Sequence, residues 1–331
     1  MQTIRLHGQG DLRLHNEPIP TPQAHEALIK VTAVGVCGSD LHWFSEAGIG
    51  NDALSQPLVL GHEFAGVTAE GVRVAVDPSI TCGHCEFCEE GNPNFCTSLV
   101  FAGHATHDGA LREYMTWPKR FLFPIPDEIS DADGAMLEPL GVAIHAVNLV
   151  HIRPGASAAV LGSGPIGLLT LQTARLAGAT TIFATDRLPN RLEFAQSYGA
   201  TDVFLADGKS ENDAIHSATR GRGVDVVFEA AGTPEAVETA MRVAKPGGTV
   251  MLIGIPSEDE TRFTASIARR KGLTIKVVRR MKNTYPTAIR LVQQGRVDVR
   301  SLVTHRFPLE RTAEGFALAA RREGVKVVIA I

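Results

Sequence analysis

The sequence predicts an α/β protein: a doubly wound parallel sheet in one domain and a mainly β fold in a second. Three observations carry that prediction. From residue 144 onward, short apolar runs alternate with helix-like stretches, the pattern of a parallel sheet covered by helices on both faces. Residues 3–120 instead carry short β-branched runs broken by Gly and Pro. At 331 residues the chain is also too long for one ordinary domain and suits two.

In the first region, Pro18, Pro20 and Pro22 break the opening. The run Ala27-Leu28-Ile29-Lys30-Val31-Thr32-Ala33-Val34 is β-branched and partly alternating, as is Gly71-Val72-Arg73-Val74-Ala75-Val76. Cys37 emerges just past the first of these, and Asp40-Leu41-His42-Trp43-Phe44 begins a short helix. Helical periodicity takes over near Asp133, through Ala135-Met136-Leu137 and Gly141-Val142-Ala143-Ile144-His145.

The alternating region opens with the strand Ala158-Ala159-Val160-Leu161, the run Gly162-Ser163-Gly164-Pro165-Ile166-Gly167, and a helix. A second strand, Thr181-Ile182-Phe183-Ala184-Thr185, ends at Asp186. A lone G-x-G-x-x-G is weak; between a strand and a helix, answered by an acid on the next strand, it is a dinucleotide fingerprint. Gly162 allows the tight turn, Gly164 close approach to a pyrophosphate, and Gly167 helix–strand packing. Asp186 takes ribose hydroxyls and repels a 2′-phosphate, which favours NAD, although Arg187 stands beside it. Val224 to Phe228 and Thr249 to Ile253 continue the sheet, with Ile253-Gly254-Ile255 a further cofactor-contacting segment. Residues 273–278 read as a strand and 285–294 as a helix, while 303–307 and 325–331 are strands that return to the first domain.

Composition is that of a soluble globular protein, 44% hydrophobic and 21% charged. A formal net charge of −4 gives no electrostatic case for nucleic acid or an anionic membrane. The N-terminus lacks the apolar core of a signal peptide, and no run of about 18 apolar residues could cross a bilayer. A cytoplasmic location is expected, and there the five cysteines need a purpose other than disulfides.

Cys82, Cys85, Cys88 and Cys96 have one. Their C-x-x-C-x-x-C-x7-C spacing lets one loop wrap a tetrahedral metal, and the Glu, Gly, Asn and Pro around them make no core. A closed structural zinc is the expectation; an iron–sulfur cluster is the alternative for the same thiolates. Zinc-ribbon binding to nucleic acid conflicts with the acidic Glu86, Glu89 and Glu90. Cys37 is left over. With His62, Glu63 and Glu138 it offers the ligand types of a catalytic zinc that keeps one position open.

The motifs Val36-Cys37-Gly38-Ser39-Asp40-Leu41-His42, Leu60-Gly61-His62-Glu63-Phe64-Ala65-Gly66, Leu137-Glu138-Pro139-Leu140, the four-cysteine lobe, the glycine fingerprint and Asn283-Thr284-Tyr285-Pro286 together resemble the zinc-dependent medium-chain alcohol dehydrogenase superfamily, over nearly the whole chain. Within it they resemble the polyol branch of sorbitol, xylitol and L-idonate dehydrogenases. The resemblance implies a GroES-like mainly β catalytic domain over residues 1–143 and 282–331, with its zinc lobe at 80–97. It implies an NAD-binding Rossmann domain inserted at 144–281. Two zinc ions per chain, NAD, a small polyol or secondary alcohol, and a homotetramer or homodimer follow as expectations. So do residue roles. Cys37, His62 and Glu63 resemble the zinc ligands, and Glu138 binds directly or through water. Asp40 orients His62, and Ser39 and His42 form a proton relay. Arg191 contacts the adenosine ribose, and Arg280 reaches substrate and cofactor. Trp43, Phe101, Ser39, Glu138 and Arg280 border the substrate. Trp43 replaces a tyrosine frequent in the branch, and Arg280 lacks its usual following aromatic, so the resemblance leaves the particular polyol open. A butanediol- or threonine-type secondary-alcohol or amino-alcohol dehydrogenase of the same architecture is the enzymatic alternative. A binding protein without turnover would lack the open-site ligands, and they are present.

Overall fold

The computed structural model describes residues 1–331. The chain divides into two compact units, Met1–Gly141 with Lys282–Ile331, and Val142–Met281.

The first unit is built on a seven-stranded sheet. Strand Glu26–Gly35 lies at its centre because its alternation turns Ala27, Ile29, Val31 and Ala33 inward. Glu63–Thr68 and Arg73–Val76 continue the sheet antiparallel on one side, and Leu122–Pro124 closes it. On the other side the chain's last strand, Lys326–Ala330, pairs Ala330 with Ala33, and Val303–Pro308 runs parallel beyond it. Both C-terminal strands therefore complete a sheet begun by the N-terminal region. Ile29, Val31, Leu58, Leu60, Phe64, Leu111 and Met115 are buried in the core beneath it. The returning segment is fastened by Tyr285, whose hydroxyl donates to Val76 O at 2.5 Å and whose ring stacks on Phe123 at 4.7 Å.

The second unit is a six-stranded parallel sheet. In space its strands run Asp202–Leu205, Ala179–Asp186, Ala156–Leu161, Val224–Glu229, Ala244–Leu252, Thr274–Val277. Strand order thus reverses between Ala156–Leu161 and Val224–Glu229, which makes that gap the topological switch point of a doubly wound sheet. The strands read as continuous apolar runs because both faces are covered; Val237, Ala240 and Met241 of helix Pro234–Val243 pack on Ala159, Val227 and Val250. Thr274–Val277 is an open edge, and Val277 is 72% exposed.

Candidate metal and dinucleotide sites

Helix Gly38–Glu46 begins with Cys37 as its N-cap residue, in an extended conformation. Asp40 caps from within the first turn, its Oδ2 accepting from Cys37 N at 3.0 Å. The other oxygen, Oδ1, accepts from Gly61 N at 3.2 Å and stands 3.4 Å from His62 Nδ1. One buried carboxylate therefore ties the residue before His62 to the residue that carries the thiol. Gly61 holds φ at +95°, a conformation that favours glycine, and a Cβ there would stand 2.6 Å from Val34 Cγ1. That turn sets His62 at the head of strand Glu63–Thr68.

Glu63 pairs in register with Gly35, two residues before Cys37. A Cβ on Gly35 would overlap the Glu63 carboxylate, so the glycine leaves the space in which that carboxylate lies. One donor atom each from Cys37, His62 and Glu63 lies within 4.8 Å of the others. A soft thiolate, an imidazole and a carboxylate at such separations fit a zinc ion with one position to spare. Glu138 lies outside that set, in the first turn of helix Leu137–Val150, and is 5% exposed. Burial pushes its carboxyl up to about 7, with Glu63 adding to the rise and His62 and Lys326 opposing it. Burial by itself would also lift Asp40, yet the His62 charge and the N–H groups of Cys37 and Gly61 bring it below its ordinary value. Burial works to lower the His62 pKa, and Asp40 and Cys37 beside it outweigh that, holding the ring well above its usual value.

Lys326, from the last strand, ion-pairs with Glu63; both side chains are buried. Sequence reasoning missed it, although a lysine inside Val325-Lys326-Val327-Val328-Ile329 signals a charge that must find a partner in the core. Ser39 and His42 lie three residues apart on one helix, but His42 Nδ1 hydrogen-bonds Glu46 Oε1 at 3.2 Å rather than Ser39. The four-residue spacing of His42 and Glu46 was the available signal. Trp43 is buried with its indole Nε1 lacking a hydrogen-bond partner, and its ring meets His104 edge-on at 5.7 Å. Phe101 lies 5.1 Å from the His62 ring.

The four remaining cysteines converge on one point. Cys82 Sγ lies 3.6 Å from Cys96 Sγ and 4.0 Å from Cys88 Sγ. Backbone N–H groups already point at the sulfurs: Cys85 N donates to Cys82 Sγ and Cys82 N to Cys96 Sγ, each at 3.3 Å. N–H groups of Cys88 and Thr97 also hold the Cys85 thiol well below its ordinary range. The Cys82 thiol is lowered in the same way, whereas burial pushes the Cys88 thiol up to about 11; the four converging sulfurs fit a closed four-sulfur centre. His84 is exposed, outside the donor set. Lys282 donates to Asn92 Oδ1 at 2.7 Å, fastening the lobe to the returning segment of the same unit.

In the second unit, Gly162 has φ +96° and Gly164 is the N-cap residue of helix Pro165–Leu176, with Pro165 and Ile166 in its first turn. A Cβ on Gly167 would overlap Gly162 O, so the third glycine is required for the helix to approach its strand. Asp186 ends its strand 8% exposed, accepting from Ser163 N at 2.8 Å and Leu188 N at 2.9 Å. It is thereby fixed beside the fingerprint turn. Arg187 is exposed, while Arg191 Nη1 would lie 3.6 Å from a Cβ on Gly164. Ile253 and Gly254 are half-buried and Ile255 half-exposed past strand Ala244–Leu252. Arg280 takes a left-handed φ of +54°. The glycine cradle and its fixed acid fit a dinucleotide.

The chain matches two family models, an alcohol dehydrogenase GroES-like domain over residues 23–127 and a zinc-binding dehydrogenase over 165–294. It is similar to the sorbitol dehydrogenase of Bacillus subtilis, 37% identical over 341 residues that cover 99% of this chain and 97% of that protein. D-xylulose reductase A of Aspergillus oryzae is 35% identical over 344 residues, covering 98% and 95%. Among solved structures, L-idonate 5-dehydrogenase of Escherichia coli superposes with a TM-score of 0.93 at 28% identity, covering 100% of this chain and 98% of the other. With full-length similarity at this level, an α/β fold whose parallel sheet carries a dinucleotide fingerprint, and two separate donor sets for zinc, the chain belongs to the zinc-dependent medium-chain alcohol dehydrogenase superfamily, in its polyol dehydrogenase branch.

Proposed function

We propose that this oxidoreductase oxidises a secondary hydroxyl of a polyol or sugar acid, of the sorbitol, xylitol or L-idonate type, to a ketone, with NAD as hydride acceptor. The observation that carries the reading is the convergence of Cys37, His62 and Glu63 on one point, backed by Asp40. These three would hold the zinc of the reaction, and Cys82, Cys85, Cys88 and Cys96 a structural zinc. The zinc at the first set supplies Lewis-acid polarisation that makes a hydroxyl easier to deprotonate. Around it, Asp40 orients the His62 ring and Lys326 holds the Glu63 carboxylate. Glu138 would be an exchangeable fourth donor, the second carboxylate beside Glu63. Ser39 receives the substrate proton and His42, half-buried and poised against Glu46, passes it to solvent. Phe101 and Trp43 wall the substrate, and the Trp43 indole N–H is a donor in search of an acceptor. The first unit is the catalytic domain. The second is the cofactor domain, in which Gly162, Gly164, Pro165, Ile166, Gly167, Arg191 and 253–255 embrace NAD, Asp186 disfavours a 2′-phosphate and Arg280 reaches the nicotinamide end.

Assembly as a homodimer or homotetramer belongs to the same proposal, supported by the open edge strand Thr274–Val277 with Val277 exposed. A cytoplasmic location is supported by four thiols gathered into one centre rather than paired as disulfides. No helix is long and apolar enough to cross a membrane. A panel of polyols, sugar acids, butanediol, threonine and simple alcohols with NAD and NADP, followed by reduced-cofactor absorbance, tests the reading. A polyol or sugar acid turned over with NAD is the expected result. Activity confined to simple or amino alcohols would replace the substrate class, and equal use of NADP would remove the role given to Asp186.

A further inference from the structure

Glu229 ends strand Val224–Glu229, is 1% exposed, and stands in register with Leu161 across the switch point of the sheet. Its side-chain Oε1 accepts from Ala231 N at 2.8 Å and from Gly232 N at 2.7 Å. Its backbone carbonyl accepts from Ile253 N at 2.8 Å and Gly254 N at 3.0 Å. No lysine, arginine or histidine acts on this carboxylate; burial and the N–H groups of Gly232, Ala231 and Gly254 are what it feels. A buried carboxylate without a cation is costly to keep, and the groups that hold it are backbone N–H groups, chiefly those of Ala231 and Gly232 in the loop that follows, with Gly254 beyond them.

That loop, Ala230-Ala231-Gly232, has no side chain larger than a methyl. On one side it touches the fingerprint: a Cβ on Gly162 would stand 2.8 Å from Ala231 N and 3.0 Å from Ala230 C. On the other it touches the segment after the next strand: a Cβ on Gly254 would overlap Gly232 N, and one on Gly232 would stand 2.5 Å from Ile255 O. Three adjacent strand ends therefore meet backbone to backbone, with glycine at each contact. In an open parallel sheet the ligand crevice lies outside the carboxyl ends of the strands at the switch point. The loop after Glu229 is the wall of that crevice opposite Gly162.

We infer that Glu229 is a positioning residue for the dinucleotide: by binding two successive N–H groups of the 230–232 loop it sets the width of the crevice between Gly162 and the 253–255 segment. The inference rests on dinucleotide binding at the fingerprint. It adds a residue that touches neither the metal donors nor the phosphate-binding turn.

The test is NADH affinity, read by the fluorescence of bound NADH, for the purified full-length protein and for Glu229→Ala, Glu229→Asp and Glu229→Gln, with melting temperatures in parallel. Loss of two charge-assisted hydrogen bonds should weaken NADH by at least about tenfold in Glu229→Ala. Glu229→Asp, one methylene too short, should weaken it as well. Glu229→Gln keeps an oxygen that accepts both N–H groups and should restore affinity to within about threefold of the unmodified chain. The polyol KM at saturating NAD should stay within about twofold throughout, because the loop is a cofactor wall. A lowered melting temperature with unchanged NADH affinity in the Ala and Asp variants would make Glu229 a purely structural residue and overturn the inference. If Glu229→Ala does not fold, the contrast between Asp and Gln decides alone, and equal affinities in the two overturn it. Failure of the unmodified chain to bind NADH would instead remove the dinucleotide reading on which the inference stands.

Discussion

The two metal-donor sets are built in opposite ways. Cys82, Cys85, Cys88 and Cys96 come from one short loop, and their sulfurs are partnered by the loop's own N–H groups. Cys37, His62 and Glu63 come from a helix start and a neighbouring strand, and depend on Asp40 and Lys326, themselves far apart in sequence. The lobe is a local structure whose geometry its own spacing dictates. The other set exists only once the sheet has formed, and its partners spend their charges on orientation. A site assembled from distant elements can leave one coordination position open, because no single loop has to close around the ion.

Exchanging one cysteine in each set gives the largest contrast. Cys37→Ser should remove one of two zinc ions and reduce kcat by about a thousandfold, the loss of several kcal/mol of Lewis-acid stabilisation, while the melting temperature moves little. Cys88→Ser should also remove one zinc but chiefly lower stability, because a structural metal contributes to folding directly. Metal analysis, kcat and thermal melts on both proteins check this, and similar behaviour of the two would dissolve the distinction.

Lys326→Met sharpens the comparison next, since it strips a partner from the assembled set alone. With Glu63 left buried and unbalanced, the zinc-free protein should lose about 3–5 kcal/mol of stability. The zinc-loaded protein should lose less, since the ion balances the same carboxylate. Urea unfolding of both forms gives the difference, and an equal loss in each would mean that Lys326 and the metal do not share Glu63.

Asp40→Asn probes orientation with the ligands intact. It should weaken zinc at the assembled set by about 10–100-fold and leave the lobe's metal untouched. Competition with a graded series of chelators reads this. An unchanged affinity would reduce Asp40 to a helix cap.

The smallest effect concerns order of release. Graded chelation of the unmodified protein should remove zinc in two steps, with activity following one and near-ultraviolet circular dichroism the other. A single step carrying both signals would show the two centres to be coupled.

What was legible in the sequence follows the same division. Local spacing showed the four-cysteine lobe and the glycine fingerprint, because the residues that act together are neighbours along the chain. The alternation of strand and helix showed the parallel sheet, and Cys37, His62, Glu63 and Glu138 were recognisable as donor types. Their supports were less visible. Lys326 meets Glu63 only through the pairing of Lys326–Ala330 with Glu26–Gly35, a register no local pattern encodes. The ring of His104 against Trp43, and its bond to Asp52 at 3.1 Å, likewise depend on loops packing together. Glu229 falls just past the run Val224 to Phe228 that reads as a strand, and nothing in Val226-Val227-Phe228-Glu229-Ala230 says that its side chain will turn back onto the loop that follows.

The Lys326–Glu63 pair also bears on how the protein comes into being. Translation delivers Lys326 263 residues after Glu63, and at ~5–20 residues per second the interval is tens of seconds. Throughout it a carboxylate destined for the interior has no lysine to meet, and the strand that brings the lysine does not yet exist. The four-cysteine lobe is under no such delay and can take its ion as soon as Cys96 has emerged. The surroundings of the two donor sets are therefore completed at different times: those of the lobe with Cys96, those of Cys37, His62 and Glu63 only with strand Lys326–Ala330.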